Sequence, residues 1–352
     1  MNKYFHPGEV WKDKNGNRIQ AYGASLFYEN GTYYWYGENK KKTDGTSDIW
    51  HWGVRCYCSE DLYNWDDMGL IIPPDLDDVD SALYPNSMMD RPHIVHNRKT
   101  GDYVCWVKIM HRDGSQSATI LAAPKITGPY EIVKTHFYPL GMSAGDFDIQ
   151  IDDDGRAYYF FEKVHSELIC ADLTADYFDV TGRYTSHFPH PAPPYVREAP
   201  AVFRRAGKKY IITSGTTGYY PNSSEIAVSD SWHGPYRVLG DPHVNDKSRT
   251  SFHSQISSVF KVPDRDVYIA LADRWLPEKQ NYKYSVVKRA FRYAFGSNKL
   301  LRKVGQATIR KLEGNSRYNT SIADYVWLPI DFSREKPVIR WRDRWSLEEI
   351  IG

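Results

Sequence analysis

The chain has 352 residues, with 45 Lys and Arg against 44 Asp and Glu, for a formal net charge of +1. This balance gives no support to a nucleic acid or another polyanion as a partner. No run of about 18 apolar residues is present, so we expect no membrane span. Aromatic residues make up 15% of the chain, which is typical of β-rich proteins and also of proteins that stack sugar rings.

One hairpin pattern recurs along the chain: an apolar strand, a turn at Gly or Asp, and an aromatic-rich strand. The first strands of the five copies lie at 24–28, 93–96, 148–151, 201–203 and 257–260. Outer strands follow most of these hairpins, and the spacing is roughly 50–70 residues per unit. The repeat therefore predicts an all-β fold, a five-bladed β-propeller that spans residues 1–352 as a single domain.

The alternative of two β-sandwich domains requires a linker, and no stretch of Pro, Gly or Ser divides the chain into halves. The region around 276–322 lacks the hairpin pattern and is rich in Lys and Arg, so we expect an irregular, solvated insertion. A strand near 324–330 is expected to pair with an N-terminal strand and close the ring, because propellers need their edges covered.

In a propeller the first strand of each blade lines the central channel, so residues at the starts of these strands collect at one mouth. Acidic and amide side chains stand at several of these starts: Asp90, Asp146, Glu198 and Gln255. Blade one begins around residues 20–23. Carboxylates that converge on one axis are a common arrangement for cutting a glycosidic bond.

The motifs around these positions resemble those of the family 43 glycoside hydrolases, and within that family those of the exo-β-1,3-galactanase branch. They run in order over nearly the whole chain: 33–38 (Tyr-Tyr-Trp-Tyr-Gly-Glu), Arg91-Pro92, 152–155 (Asp-Asp-Asp-Gly), 197–200 (Arg-Glu-Ala-Pro), 214–218, Ser254-Gln255, 273–275 (Asp-Arg-Trp) and 325–329. The resemblance implies an inverting five-bladed propeller.

The resemblance also implies catalytic roles. Glu198 matches the general acid, which must be protonated and therefore needs a raised pKa. Asp146 matches the carboxylate that raises the pKa of the acid, since a nearby negative charge disfavours ionisation. Gln255 matches the residue that serves as base in the galactanase branch. The alternatives are a salt bridge between Glu198 and Arg197 and a turn-capping role for Asp146, with Asp148 in its place.

The chain differs from most of the family at the start of blade one, as the galactanase branch also does, and it differs from that branch at two places, in blade one and blade two. No carboxylate occurs from Arg18 to Tyr28, where most of the family has an aspartate base. Because an amide is a poor base, Gln255 either acts through an imidic tautomer or only positions the water. The galactanase branch has His-Gly-Gly where this chain has 22–24 (Tyr-Gly-Ala), and Glu where this chain has Asp90.

The expected substrate-binding residues are Glu38, Asp90, Thr217, Trp275 and Tyr22. Glu38, Asp90 and Thr217 match positions that hold the hydroxyls of the terminal sugar, and carboxylates accept paired hydrogen bonds from neighbouring hydroxyls. The simpler alternatives are a solvated strand end for Glu38, an ion pair with an arginine for Asp90, and a core aromatic for Trp275.

These observations predict an exo-acting hydrolase that releases galactose from β-1,3-linked galacto-oligosaccharides. The alternatives are a β-galactofuranosidase, an α-L-arabinofuranosidase, a β-xylosidase or a non-catalytic sugar-binding propeller. The expected partner is an oligosaccharide, with no cofactor. A structural calcium is an alternative near His253, and 152–155 is interpreted as a hairpin turn. Without a removed leader, the chain start predicts a cytoplasmic protein.

Overall fold

The computed structural model describes residues 2–313 and 318–350 and contains five β-sheets that form the blades of a propeller. The predicted fold class is therefore confirmed. Blades one to four are four-stranded antiparallel sheets in chain order. Their strands are β1 (Tyr22–Glu29), β2 (Thr32–Glu38), β3 (Val54–Ser59) and β4 (Asp66–Ile72); β5 (Met88–His96), β6 (Tyr103–Met110), β7 (Gln116–Ala123) and β8 (Glu131–Phe137); β9 (Ala144–Ile151), β10 (Ala157–Lys163), β11 (Glu167–Leu173) and β12 (Val180–His187); β13 (Arg197–Arg205), β14 (Lys208–Gly215), β15 (Glu225–Ser229) and β16 (Arg237–Gly240).

Blade five is assembled from separate parts of the chain. Its inner hairpin is β18 (Gln255–Lys261) with β19 (Tyr268–Arg274). The outer strands come mainly from the C-terminal region, and the sheet order is β17-β22-β21-β19-β18, with β20 also on β19. These outer strands are β17 (His243–Val244), β20 (Asp324–Tyr325), β21 (Leu328–Asp331) and β22 (Val338–Arg340).

The ring is closed differently from the sequence prediction. The inner strands contact one another in the order β1, β5, β9, β13, β18, and β18 meets β1. The strand predicted near 324–330 exists as β20 and β21, and both pair with β19. The N-terminal segment adds one backbone hydrogen bond to β20, from Gly8 N–H to Tyr325 O at 2.7 Å, and not a strand ladder. It also bridges Phe5 to Trp345, with Phe5 N–H donating to Trp345 O at 2.8 Å. This bridge buries both aromatic rings, whose centroids lie 4.4 Å apart.

The insertion predicted to be irregular over 276–322 contains two helices, α1 (Tyr284–Ala294) and α2 (Lys299–Glu313). The helical period is present in the sequence, because the buried residues of α1 are spaced three and four apart: Val287, Ala290, Phe291 and Ala294. A third helix, α3 (Leu347–Ile350), follows near the C-terminus. Within the part of the chain that the structure describes, no helix is long and apolar enough to cross a membrane.

The two helices of the insertion pack on blade four beside the channel mouth. Tyr220 forms a buried cluster with Val287 and Phe291. A Cβ added at Gly218 would lie 3.7 Å from the ring of Phe291. The insertion therefore supports the turn after β14 that carries Thr217.

Candidate active site

Every inner strand is irregular where it enters the channel mouth. The strand register shifts near the first residues of β1, β5, β9, β13 and β18. The backbone has positive φ at Gly23 (64°), Arg91 (57°) and Ala199 (48°). β-Bulges re-aim side chains, and strained backbone of this kind clusters at functional sites. The five bulges turn the first residues of the inner strands towards one another.

Arg91 joins four of the blades at this mouth. One of its guanidinium nitrogens donates to Asp146 Oδ2 at 3.0 Å and to Gln255 Oε1 at 2.6 Å. Its backbone N–H donates to Glu38 Oε1 at 2.9 Å. The structure thus brings Glu38, Asp146 and Gln255 together around Arg91. The sequence indicated Arg91 only as part of a motif, and its central position was missed.

Asp90 is held by two lysines and a tryptophan. Its Oδ1 accepts from Trp50 Nε1 at 2.7 Å and lies 3.5 Å from Lys40 Nζ, and its Oδ2 lies 3.3 Å from Lys108 Nζ. Asp90 is therefore ion-paired, as the alternative held, but with two lysines and not with an arginine. Nothing in the sequence pattern linked these lysines to the site.

Glu38 lies beneath the start of blade one and is not a solvated strand end. Its side chain is 1% exposed, and its Oε2 lies 2.7 Å from Lys40 Nζ. Burial raises the pKa of Glu38 to about 7, against the lowering effect of Lys40. Glu38 is therefore a buried, paired carboxylate at the mouth.

Gly23 makes room for Glu38. Its φ is +64°, and a Cβ added there would lie 2.3 Å from Glu38 Oε1. We expect Gly23→Ala to displace the Glu38 carboxylate and raise KM by roughly tenfold or more, with a smaller change in kcat, since an L side chain is strained at this φ. Steady-state kinetics test this, and Gly31→Ala, at a turn with positive φ and open space, is the matched control. Equal KM values for the two variants would contradict it.

The pKa values of Asp146 and Glu198 are shifted in opposite directions. Burial alone would raise the pKa of Asp146, but Arg91 and Lys108 lower it to about 2, so Asp146 is an anion. The pKa of Glu198 is raised well above its usual value by burial, and then by the negative charges of Asp146 and Glu162. An ionised carboxylate beside a protonated one is the pattern of an acid and its modulator.

The amide of Gln255 can be oriented from its partners. Arg91 has only donors, so the atom facing it must be the carbonyl oxygen. The Nε2 atom then donates to Ser214 Oγ at 2.9 Å and to Glu198 Oε1 at 3.3 Å. Both ends of the amide are therefore engaged.

The alternative interpretations of Glu198 and Asp146 do not match the contacts. Arg197 turns away from Glu198 and donates to the side chain and carbonyl of Thr213. Asp148 instead ties neighbouring blades together, because its Oδ2 accepts from Val202 N–H at 2.6 Å. Asp148 is 1% exposed and has a structural role.

Like Glu38, three further residues predicted to bind substrate are almost wholly buried. Tyr22 has no exposed surface, stacks on Tyr325 and donates its hydroxyl to Ala323 O, so its prediction is corrected to a core role. Trp275 is 8% exposed and packs in the same core cluster, as its alternative held. Thr217 is 1% exposed, and its hydroxyl is engaged within its own turn. Thr217 therefore shapes the turn and offers almost no surface to a ligand.

Other aromatic residues form a partly exposed rim. Tyr219 lies 6.3 Å from Trp50 and 5.0 Å from Tyr318, measured between ring centroids. Trp50 also donates to Asp90, so the rim touches the carboxylate cluster. Sequence reasoning missed this set, because its members come from three separate loops.

Within residues 2–313 and 318–350, no group of three or more His, Cys, Asp or Glu side chains could hold a metal ion. The segment 152–155 forms a hairpin turn, in which Gly155 N–H donates to Asp152 O at 3.0 Å. Asp153 pairs with Arg204, and Asp152 accepts from Trp232.

The comparison with protein families decides the membership of the chain. The family model described as "Glycosyl hydrolases family 43" matches residues 24–285. The chain belongs to glycoside hydrolase family 43. It is therefore a glycoside hydrolase, and the predicted resemblance is confirmed. A search of curated proteins gave no match.

Solved structures of family 43 members are similar over almost the whole chain. The β-1,3-galactosidase BT0265 is 28% identical over 99% of this chain, with a TM-score of 0.79, and this chain covers 64% of its length. The β-1,3-galactosidase BT3683, solved with galactodeoxynojirimycin, is 25% identical over 97% of this chain and 100% of its own, with a TM-score of 0.77. An exo-β-1,3-galactanase from Phanerochaete chrysosporium, solved with β-1,3-galactotriose, is 25% identical over 98% of this chain and 68% of its own, with a TM-score of 0.77.

Proposed function

We propose that this family 43 hydrolase is an inverting, exo-acting enzyme that releases galactose from β-1,3-linked galacto-oligosaccharides. The observation that carries the proposal is the hydrogen-bonded chain at the mouth, in which Lys108 and Arg91 hold the carboxylate of Asp146 and Arg91 also holds Gln255, whose amide reaches the buried Glu198. Burial and the negative charge of Asp146 raise the pKa of Glu198, as a general acid requires. The similar solved structures are those of β-1,3-galactosidases and an exo-β-1,3-galactanase, which favours galactose as the sugar.

Glu198 is assigned the general acid. Its Oε1 accepts from Gln255 Nε2, so the carboxyl proton is best placed on the other oxygen, Oε2. From there it passes to the glycosidic oxygen as the bond to the sugar breaks. Asp146 remains an anion throughout and opposes early loss of that proton.

Gln255 is assigned the role of positioning the attacking water. Its carbonyl oxygen accepts a hydrogen bond from Arg91 and therefore carries no proton. This hydrogen bond favours the ordinary amide over the imidic tautomer. This favours a role in positioning the water. An inverting site needs space for the sugar and a water between its two catalytic groups. Because Gln255 and Glu198 are in direct contact at 3.3 Å, we expect a bound sugar to separate them.

The contacts of Asp90 favour a second candidate function, in which the enzyme releases a sugar other than β-1,3-linked galactose. Its carboxylate already faces Lys40, Lys108 and Trp50, and it is one methylene shorter than the glutamate of the galactanase branch. Fewer of its lone pairs are free for sugar hydroxyls. β-Galactofuranosidase, α-L-arabinofuranosidase and β-xylosidase activities therefore belong in the same test.

The test is a substrate panel with β-1,3-galactobiose, aryl β-galactoside, galactofuranoside, arabinofuranoside and xyloside. The proposal expects galactose from galactobiose, and none with Glu198→Gln. Glu60→Gln changes an exposed glutamate in the same way and is expected to leave activity unchanged. Sugar binding without turnover on any substrate would show a non-catalytic propeller and overturn the proposal.

A further inference from the structure

Lys108 occupies a place in the site that the catalytic roles above leave unexplained. It lies on β6 directly opposite Asp90 in the strand register. Its ammonium lies 2.7 Å from Asp146 Oδ1 and 3.3 Å from Asp90 Oδ2, and its side chain is 11% exposed. One ammonium therefore joins a sugar-binding carboxylate to the modulator of the acid.

The geometry keeps Lys108 charged. Burial alone would lower the pKa of Lys108, but the carboxylates of Asp146 and Asp90 raise it above its usual value. Asp146 is clamped from both sides, by Lys108 on Oδ1 and by Arg91 on Oδ2. This arrangement fixes both the ionisation and the orientation of the Asp146 carboxylate.

Lys108 and Arg91, the two cations that hold Asp146, shift the pKa of Glu198 in the opposite direction to Asp146. Burial, Asp146 and Glu162 raise the pKa of Glu198, whereas Lys108 and Arg91 lower it. Lys108 differs from Arg91 because it makes no contact with the water-side residue Gln255. The charged and titratable groups that act on this cluster include Glu38, Lys40, His51, Asp90, Arg91, Lys108, Asp146, Asp148, Glu162, Arg197, Glu198, Tyr219 and Asp273.

We propose that Lys108 is a positioning residue that fixes the Asp146 carboxylate and offsets part of its negative charge at Glu198. The inference rests on the proposed function. A general acid works best when its pKa lies near the working pH. Asp146 raises the pKa of Glu198, and Lys108 opposes part of that rise. Through Asp90, the same ammonium also holds a carboxylate of the sugar site.

The test compares pH profiles of kcat/KM on β-1,3-galactobiose, whose sugar leaving group needs a proton. Activity requires protonated Glu198, so the alkaline limb reports its pKa in the free enzyme. Lys108→Met removes a positive charge. It is expected to move the alkaline limb to higher pH by about one unit and to raise KM. Asp146→Asn removes a negative charge and is expected to shift it downwards. Lys108→Arg keeps the charge and is expected to retain the wild-type limb.

Matched variants keep the outcome interpretable. Lys134→Met changes a lysine that pairs with Asp179 on the surface of the same blade, and it is expected to leave the profile unchanged. Lys108→Gln keeps a donor towards Asp146 without the charge, and it replaces Lys108→Met if that variant does not fold. The proposal is overturned if Lys108→Met or Lys108→Gln leaves the alkaline limb unchanged, or moves it to lower pH as Asp146→Asn is expected to do.

A direct titration separates this inference from the proposed function. In protein labelled with ¹³C at the glutamate carboxyl carbons, the signal lost in Glu198→Gln assigns Glu198, and its pKa is measured without substrate. A higher pKa in Lys108→Met supports the role of Lys108 even if galactosides are not hydrolysed. An unchanged pKa overturns it even if the wild-type enzyme is fully active.

Discussion

Glu198→Gln is expected to lower kcat/KM on β-1,3-galactobiose by about a thousandfold or more. The leaving sugar alkoxide is a strong base and needs a proton in the transition state, and general acid catalysis contributes roughly 10²–10⁴-fold. On an aryl galactoside with an acidic leaving group, such as dinitrophenol, the loss is expected to be far smaller because the leaving group departs as an anion. The measurement is kcat/KM of both proteins on both substrates.

The decisive comparison is between the losses of kcat/KM on the two substrates, which differ in their leaving groups. A nucleophile or a purely structural glutamate would lose activity on both substrates alike. Glu60→Gln, an exposed glutamate at the end of blade one's third strand, is expected to match the wild-type enzyme on both. Equal losses for Glu198→Gln on the two substrates would remove the acid assignment.

Gln255→Ala is expected to lower kcat by about 10²–10³-fold while KM changes little. The amide contacts Arg91, Ser214 and Glu198, so its loss leaves the attacking water without a fixed partner at the mouth. The terminal sugar is expected to remain bound by Asp90, which Gln255 does not contact in these hydrogen bonds. The measurement is the split between kcat and KM on β-1,3-galactobiose.

Ser214→Ala is the comparison variant for this prediction. It removes one acceptor of the Gln255 amide but leaves the bond from Arg91 in place. We expect a loss about tenfold or less, since one neutral hydrogen bond contributes about 1 kcal/mol. A Gln255→Ala enzyme with unchanged kcat would move the water-activating role to another residue.

The five blades could be predicted because each hairpin is a local pattern with its turn residues in sequence. The helices of the insertion were also locally encoded, in the spacing of Val287, Ala290, Phe291 and Ala294. The high content of Lys and Arg in that region obscured it. The partner of the strand near 324–330 could not be predicted, because edge pairing depends on which strand is left free once the ring closes.

The carboxylates of the site were predictable because they stand at the starts of inner strands, where topology brings them together. Lys40 and Lys108 were not, because they come from the far ends of second strands or the loops after them. Tyr22 and Trp275 show the opposite failure. A position near the mouth in sequence does not fix which way a ring points, and both rings pack inwards.

The most direct test of the account is the anomer of the first-formed product. Hydrolysis of β-1,3-galactobiose in an NMR tube, followed by proton spectra before mutarotation, identifies the configuration of the galactose released from the non-reducing end. An inverting mechanism with Glu198 as acid and a water held at Gln255 predicts α-galactose as the initial product. Initial release of β-galactose would contradict it, because that outcome requires a covalent intermediate on a nucleophile.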